Sequence, residues 1–167
     1  MARPTSCPSQ TSSRKSYHAA HLYVIFGVVS GLYHREFTKL HGFGGRTQLA
    51  LVHTHLLALG MLAFLVVLAL DKLFEPSGAG LFTAFFWVYN AGVVLSVAMM
   101  FVHGSQTLLG RPVPVEVSLA AGLGHILLTA GLVLLFVLIG RRLKELAPAR
   151  GPKAAAPVPD HDARVLR

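Results

Sequence analysis

Gln48 to Leu70 reads QLALVHTHLLALGMLAFLVVLAL, a run without Asp, Glu, Lys or Arg. As a helix it reaches roughly 34 Å, enough to cross a hydrocarbon core of about 30 Å. Inside a bilayer the backbone has no hydrogen-bond partner but its own chain, so the run is predicted as a transmembrane helix. Three further apolar stretches flank it: Tyr17 to Phe37, Gly80 to Val102 and Val115 to Gly140. Glycines and prolines punctuate the intervals Thr38 to Thr47, Asp71 to Ala79 and His103 to Pro114, which read as turns. The predicted fold is all-α, an integral membrane four-helix bundle running up-down-up-down over residues 17–140.

Residues 1–16 are rich in Ser, Thr, Gln and Pro and predict a disordered arm. Residues 141–167 open with Arg141-Arg142-Leu143-Lys144 and continue as an Ala/Pro-rich, basic tail predicted to be disordered. The first span is long, has no small-residue cleavage site and continues into Tyr33-His34-Arg35-Glu36-Phe37, so it is expected to be retained rather than removed as a signal peptide.

Composition agrees: of 167 residues 53% are hydrophobic and only 13% charged. The net charge of +8 resides mostly in the tails, as in a membrane protein's cytoplasmic ends, and nucleic acid is not an expected partner. Eleven Lys and Arg fall on the side shared by the two termini and the second loop. Four (Arg35, Lys39, Arg46, Arg111) fall on the other. The positive-inside rule then places both termini in the cytoplasm. The single cysteine, Cys7, excludes an intramolecular disulfide, a Cys-based zinc site and an iron–sulfur cluster.

Nine histidines remain as candidate ligands. With alternating helix direction, His34, His53, His55, His103 and His125 all fall in the outer half of the bilayer. His34 lies roughly 5 Å below the outer boundary, His53 and His55 roughly 7 to 11 Å, His125 roughly 15 Å, and His103 at the rim. His18 and His21 open the first span from the other side. Ionisable groups at such depth are costly and mark functional sites. Helical spacing aligns Tyr23, Gly27, Ser30 and His34 on one face, Tyr89, Ser96 and His103 on a second, and Ser118, Gly122, His125 and Thr129 on a third. Small residues at this spacing, as in Gly27-x-x-x-Gly31 and Gly92-x-x-x-Ser96, also serve ordinary close packing between helices.

His53 and His55 point roughly 200° apart on a helix and cannot chelate one ion together. One of them, opposite His125 on the parallel fourth helix, can supply the two axial ligands of a haem b, with Arg35 available to a propionate. A copper or zinc ion needs three or four imidazoles, available from His34, His53, His55, His103 and His125. A lone buried histidine is more often a hydrogen-bonded structural residue than a ligand. Gly42-Phe43-Gly44-Gly45 lacks the Lys-Ser/Thr of a phosphate loop.

Several motifs in order carry a family resemblance: Phe26-Gly27-Val28-Val29-Ser30-Gly31 with Arg35-Glu36-Phe37-Thr38-Lys39, then Val52-His53-Thr54-His55-Leu56-Leu57-Ala58-Leu59-Gly60-Met61. Tyr89-Asn90-Ala91-Gly92, Met99-Met100-Phe101-Val102-His103-Gly104 and Gly122-Leu123-Gly124-His125-Ile126-Leu127-Leu128 complete it. From Tyr17 to Arg142 the chain resembles the bacterial membrane family called domain of unknown function 2871. The resemblance implies a four-helix protein of the bacterial inner membrane and no established activity. Locally, His53-x-His55-Leu-Leu is similar to histidine-bearing helices of haem-copper oxidases, which favours haem.

The functional expectation is a small bundle holding haem b, or copper or zinc, for electron transfer, sensing or metal handling. The alternative is a structural or assembly subunit of a homo-oligomer or larger membrane complex. A third is a proton or metal transporter with His34, His53, His55 and Glu116 lining a path. No hydrolase triad, paired-carboxylate site or nucleotide fold is recognisable, so no catalytic residue is assigned and an enzyme is not expected.

Overall fold

The computed structural model describes residues 8–74 and 79–146, and among them it is helical apart from two short connections. Helix α1 is Pro8–Leu40. Helix α2 covers residues 49–74 without interruption, as an α-helical Leu49–His55, a π-helical Leu56–Leu62 and an α-helical Ala63–Phe74. Helices α3 and α4 are Ala79–Leu108 and Val115–Leu146. Three stretches are long and apolar enough to cross a bilayer: Leu49–Leu73, Gly80–Leu108 and Val115–Leu146. The predicted all-α, up-down-up-down bundle is the observed fold. Its two ends are called the terminal end, where α1 begins and α4 finishes, and the loop end, where residues 41–48 and 109–114 lie.

The helices overrun the predicted spans. The described part of helix α1 opens at Pro8, well before the predicted span. Residues 8–16, predicted as part of a disordered arm, are therefore helical. They are held by Asp71 of α2, whose carboxylate is buried and accepts hydrogen bonds from Ser12 Oγ (3.0 Å) and from Ser13 Oγ. At the far end of the chain α4 continues through Arg141 to Leu146, with Arg142 paired to Glu145 at 2.9 Å. The rest of the predicted arm and tail, residues 1–7 and 147–167, lies outside the described residues.

Two helices end on glycine for a definite reason. Gly42 and Gly110 have φ of 58° and 65°, a left-handed conformation that side chains resist. In each case the N–H of the glycine and of the next residue turn back onto the last helical turn: Gly42 N to Lys39 O and Phe43 N to Thr38 O, Gly110 N to Thr107 O and Arg111 N to Gln106 O. This is the Schellman closure, which occupies carbonyls the helix end leaves free.

Helix α1 packs along all three segments of α2, and α3 along α4, while α1 and α4 do not meet. The α3–α4 seam is made close by small residues. A Cβ at Gly92 would lie 2.6 Å from Leu128 N, one at Gly131 2.9 Å from Tyr89 Cα, and Gly124 sits directly on Ser96. The pairs are bridged at the loop end, where Gly104 of α3 abuts the Leu49 backbone and accepts a hydrogen bond from Thr47 Oγ1 at 2.7 Å. Toward the terminal end the backbones of α2 and α3 part, and aromatic side chains fill the gap. Phe64 lies 5.7 Å from Tyr89 and 6.3 Å from Phe85, ring centre to ring centre, and all three rings are buried. The π-helical stretch occurs where two tyrosines meet α2: Tyr23 packs on Gly60, and the Tyr89 hydroxyl donates to Leu59 O at 2.9 Å. A π turn distorts the regular hydrogen-bond ladder, and Tyr89 gives one of its carbonyls an outside partner.

Candidate functional site

His34 of α1 and His103 of α3 are half-buried at the loop end: His34 lies one turn below Thr38, which bonds its carbonyl at 2.8 Å, and His103 one turn below Thr107, which bonds its carbonyl at 2.9 Å, whereas His18 and His21, toward the other end of α1, are exposed. His53 of α2 turns toward α1, with its Cβ 3.6 Å from where a side chain on Gly31 would begin. Its Nδ1 is buried without a hydrogen-bond partner among the described residues, and its Nε2 lies 3.4 Å from Thr54 Oγ1, a long contact.

His125 faces outward from the protomer, and His55 is half-buried. In both, Nδ1 lies within hydrogen-bond distance of the carbonyl four residues earlier in its own helix, Leu51 O at 3.0 Å and Ala121 O at 2.8 Å. A carbonyl only accepts, so in each ring Nδ1 carries the hydrogen. In the neutral ring this leaves the Nε2 lone pair directed away from the helix. That is the arrangement by which proteins orient an imidazole ligand. Thr129 Oγ1 donates to the His125 carbonyl at 2.9 Å.

The face of α4 that carries His125 is exposed throughout: Ser118, Gly122, His125 and Thr129 all lie away from α3, and Gly124, Leu128, Gly131 and Leu138 form the buried side. The sequence aligns the polar stripe correctly. It does not indicate that the stripe points outward, because α4 is apolar nearly all round and either face can be chosen for packing. The other two stripes turn inward, with Tyr23, Gly27, Tyr89 and Ser96 buried.

This geometry decides which predicted ligands come together. Among the described residues no three His, Cys, Asp or Glu side chains converge as a metal site. The loop-end segment of α2 does not meet α4, and α3 packs against both. His53 or His55 and His125 are therefore not brought together within one chain. Arg35 is exposed and lies 3.6 Å from Glu36, its neighbour in sequence. Glu116, expected on a transport path with His34, His53 and His55, is exposed in the first turn of α4.

Two polar contacts escape a reading of the sequence. One is Asp71 with Ser12 and Ser13. The other is Tyr23, whose hydroxyl donates to Asn90 Oδ1 at 2.7 Å, while Asn90 Nδ2 donates to Phe86 O at 2.7 Å. The available signal is a carboxylate and an amide set in otherwise apolar helices, where each needs a partner.

No curated protein and no solved structure matches the chain. Residues 13–142 match the family model described as "Protein of unknown function (DUF2871)", and the chain belongs to that family.

Proposed function

We propose that the chain is a non-catalytic subunit of a larger assembly in the bacterial inner membrane. In this reading it crosses four times with both termini in the cytoplasm, and neighbouring subunits share a haem b on imidazoles of α2 and α4, with copper or zinc as the alternative. The observation that supports this is His125, exposed on α4 at membrane depth with Nδ1 tied to Ala121 O and Nε2 free. Ionisable side chains within a membrane almost always face protein or a wet cavity rather than lipid. An exposed histidine flanked by Ser118, Gly122 and Thr129 therefore marks a surface that another protein covers. His125 and His55 are the residues that would hold the group. When bound, haem supplies one-electron redox chemistry or a gas-binding iron. The chain's part is to fix the ring tautomer through the backbone carbonyl and to exclude water with the apolar surface around it.

The same exposed stripe supports a second reading, in which the polar groups join subunits without a cofactor. One preparation separates the two. The protein is purified in mild detergent from cells supplied with iron and a haem precursor. Its absorption spectrum, metal content and mass are then measured together. A Soret band in an oligomer, lost in His125→Ala, is the expected result. A colourless, metal-free oligomer that dissociates in His125→Ala sinks the haem reading and supports the second. A colourless, metal-free monomer sinks both.

A further inference from the structure

A wide groove lies on the flank away from the exposed α4 stripe. Helices α1 and α3 diverge there, and between them runs a groove of about 1310 Å³ floored by Val52 and Leu56 of α2. On α1 it extends from Arg14 to Tyr33, a rise of roughly 28 Å, close to the thickness of a hydrocarbon core. Three of the polar side chains along it are already hydrogen-bonded within the protein: Tyr23 bonds Asn90, Asn90 bonds Phe86 O, and Ser30 Oγ donates to Gly27 O at 2.9 Å. The trough is thus suited to an apolar chain. At its terminal end the lining changes to Arg14, Lys15 and His18, and among the described residues no Asp or Glu lines it. Neither Arg14 nor Lys15 forms an ion pair among the described residues, and Asp71, the acid that meets this part of α1, is engaged by Ser12 and Ser13.

We infer that this groove binds an anionic phospholipid, with its phosphate held by Arg14 and Lys15 and an acyl chain lying along α1 and α3. Charge complementarity selects the occupant. A basic cluster at a membrane surface attracts acidic headgroups, whereas α4 of a second copy would bring Arg141, Arg142 and Lys144 against Arg14 and Lys15. The inference is independent of the proposed cofactor, since no α4 residue and neither His55 nor His125 lines the groove.

Trp87 provides the readout, because it is the chain's single tryptophan, lines the groove and is 65% exposed. The full chain is reconstituted in phosphatidylcholine vesicles, and Trp87 fluorescence is titrated with phosphatidylglycerol brominated on its acyl chain, then with phosphatidylcholine brominated the same way. Each basic residue at a membrane surface favours an acidic lipid about fivefold, so the two together give a preference of roughly 30-fold for the glycerol lipid. Added salt should weaken it. The double variant Arg14→Gln/Lys15→Gln should quench equally with both lipids. Arg141→Gln/Lys144→Gln, which removes two charges from the same end of the molecule, should keep the preference. Equal quenching of the unmodified protein by both lipids would overturn the inference, as would a preference that survives in Arg14→Gln/Lys15→Gln. Failure of either lipid to quench would mean that protein covers the groove, and would overturn it too.

Discussion

Replacing Gly92 with alanine tests the α3–α4 seam at its tightest backbone contact. The added Cβ would stand 2.6 Å from Leu128 N, 3.0 Å from Gly124 O and 3.0 Å from Leu127 C. All three are backbone atoms of a helix and cannot rotate aside. Ordinary contact begins at 3.4 Å, so relief demands a separation of 0.8 Å, the difference between 3.4 and 2.6 Å. Parting the helices that far loosens the neighbouring contacts of Gly124 on Ser96 and Gly131 on Tyr89 as well. Overpacking of this kind costs about 2 kcal/mol, near the middle of the usual range, or roughly 30-fold in the unfolding equilibrium. Gly122 supplies the control: it lies on the same helix as Gly124, but a Cβ there meets nothing within 4 Å. Gly122→Ala should be neutral or stabilise by about 0.5 kcal/mol through helix propensity. Both variants would be unfolded reversibly in mixed micelles and compared by helicity. If Gly92→Ala and Gly122→Ala fall within about 0.5 kcal/mol of each other, α3 and α4 do not pack through this seam.

Tyr89→Phe removes the hydroxyl that reaches Leu59 O while keeping the ring in the aromatic cluster. It should cost about 0.6 kcal/mol and no more than about 1.7 kcal/mol in the same unfolding assay, the range typical of polar contacts between membrane helices. No change at all would mean that the π turn holds without that bond. Asp71→Ala should release the first turns of α1, since Ser12 and Ser13 lose their common acceptor. Hydrogen exchange should then accelerate over residues 12–16 and stay slow over residues 23–30. Uniform exchange in both segments would show that the start of α1 does not depend on Asp71.

The bundle is legible in the sequence because the hydrophobic and backbone constraints of a bilayer act on contiguous residues. A run such as Leu49 to Leu70 has no soluble solution at this chain length, and helix is the one local structure that satisfies its backbone in lipid. The closures at Gly42 and Gly110 are legible as breaks but not as dimensions, since hydropathy marks where apolar residues stop. The hydrogen bonds that end a helix lie further on, at Leu40 and Leu108. The helical state of residues 8–16 is hidden for a related reason. Their Ser- and Thr-rich composition carries no apolar face, and the Asp71 carboxylate that holds them lies 58 and 59 residues away from Ser13 and Ser12. The azimuth of the histidines is only partly legible. On α1 and α3 the polar stripe coincides with the packed face. On α4 the packed face is Gly124, Leu128 and Gly131, so His125 is left outside.

That division between α4 and the other helices has a structural cause. The α3–α4 interface is built by bringing backbones together at Gly92, Gly124 and Gly131, an interface that consumes small residues and leaves no room for an imidazole. The α1–α2 interface instead admits side chains of intermediate size, with His53 beside Gly31 and Tyr23 over Gly60. A histidine on α4 can therefore sit only on the free side, whereas α2 takes its histidines partly in, and His53 and His55 are both half-buried. Because α1 and α4 never meet, the outward histidine of α4 and the basic groove beside α1 occupy separate flanks of the same molecule. A subunit docked on α4 leaves the groove open to lipid. Changing Arg14 and Lys15 should consequently alter lipid preference without altering assembly through His125, and changing His125 should do the reverse.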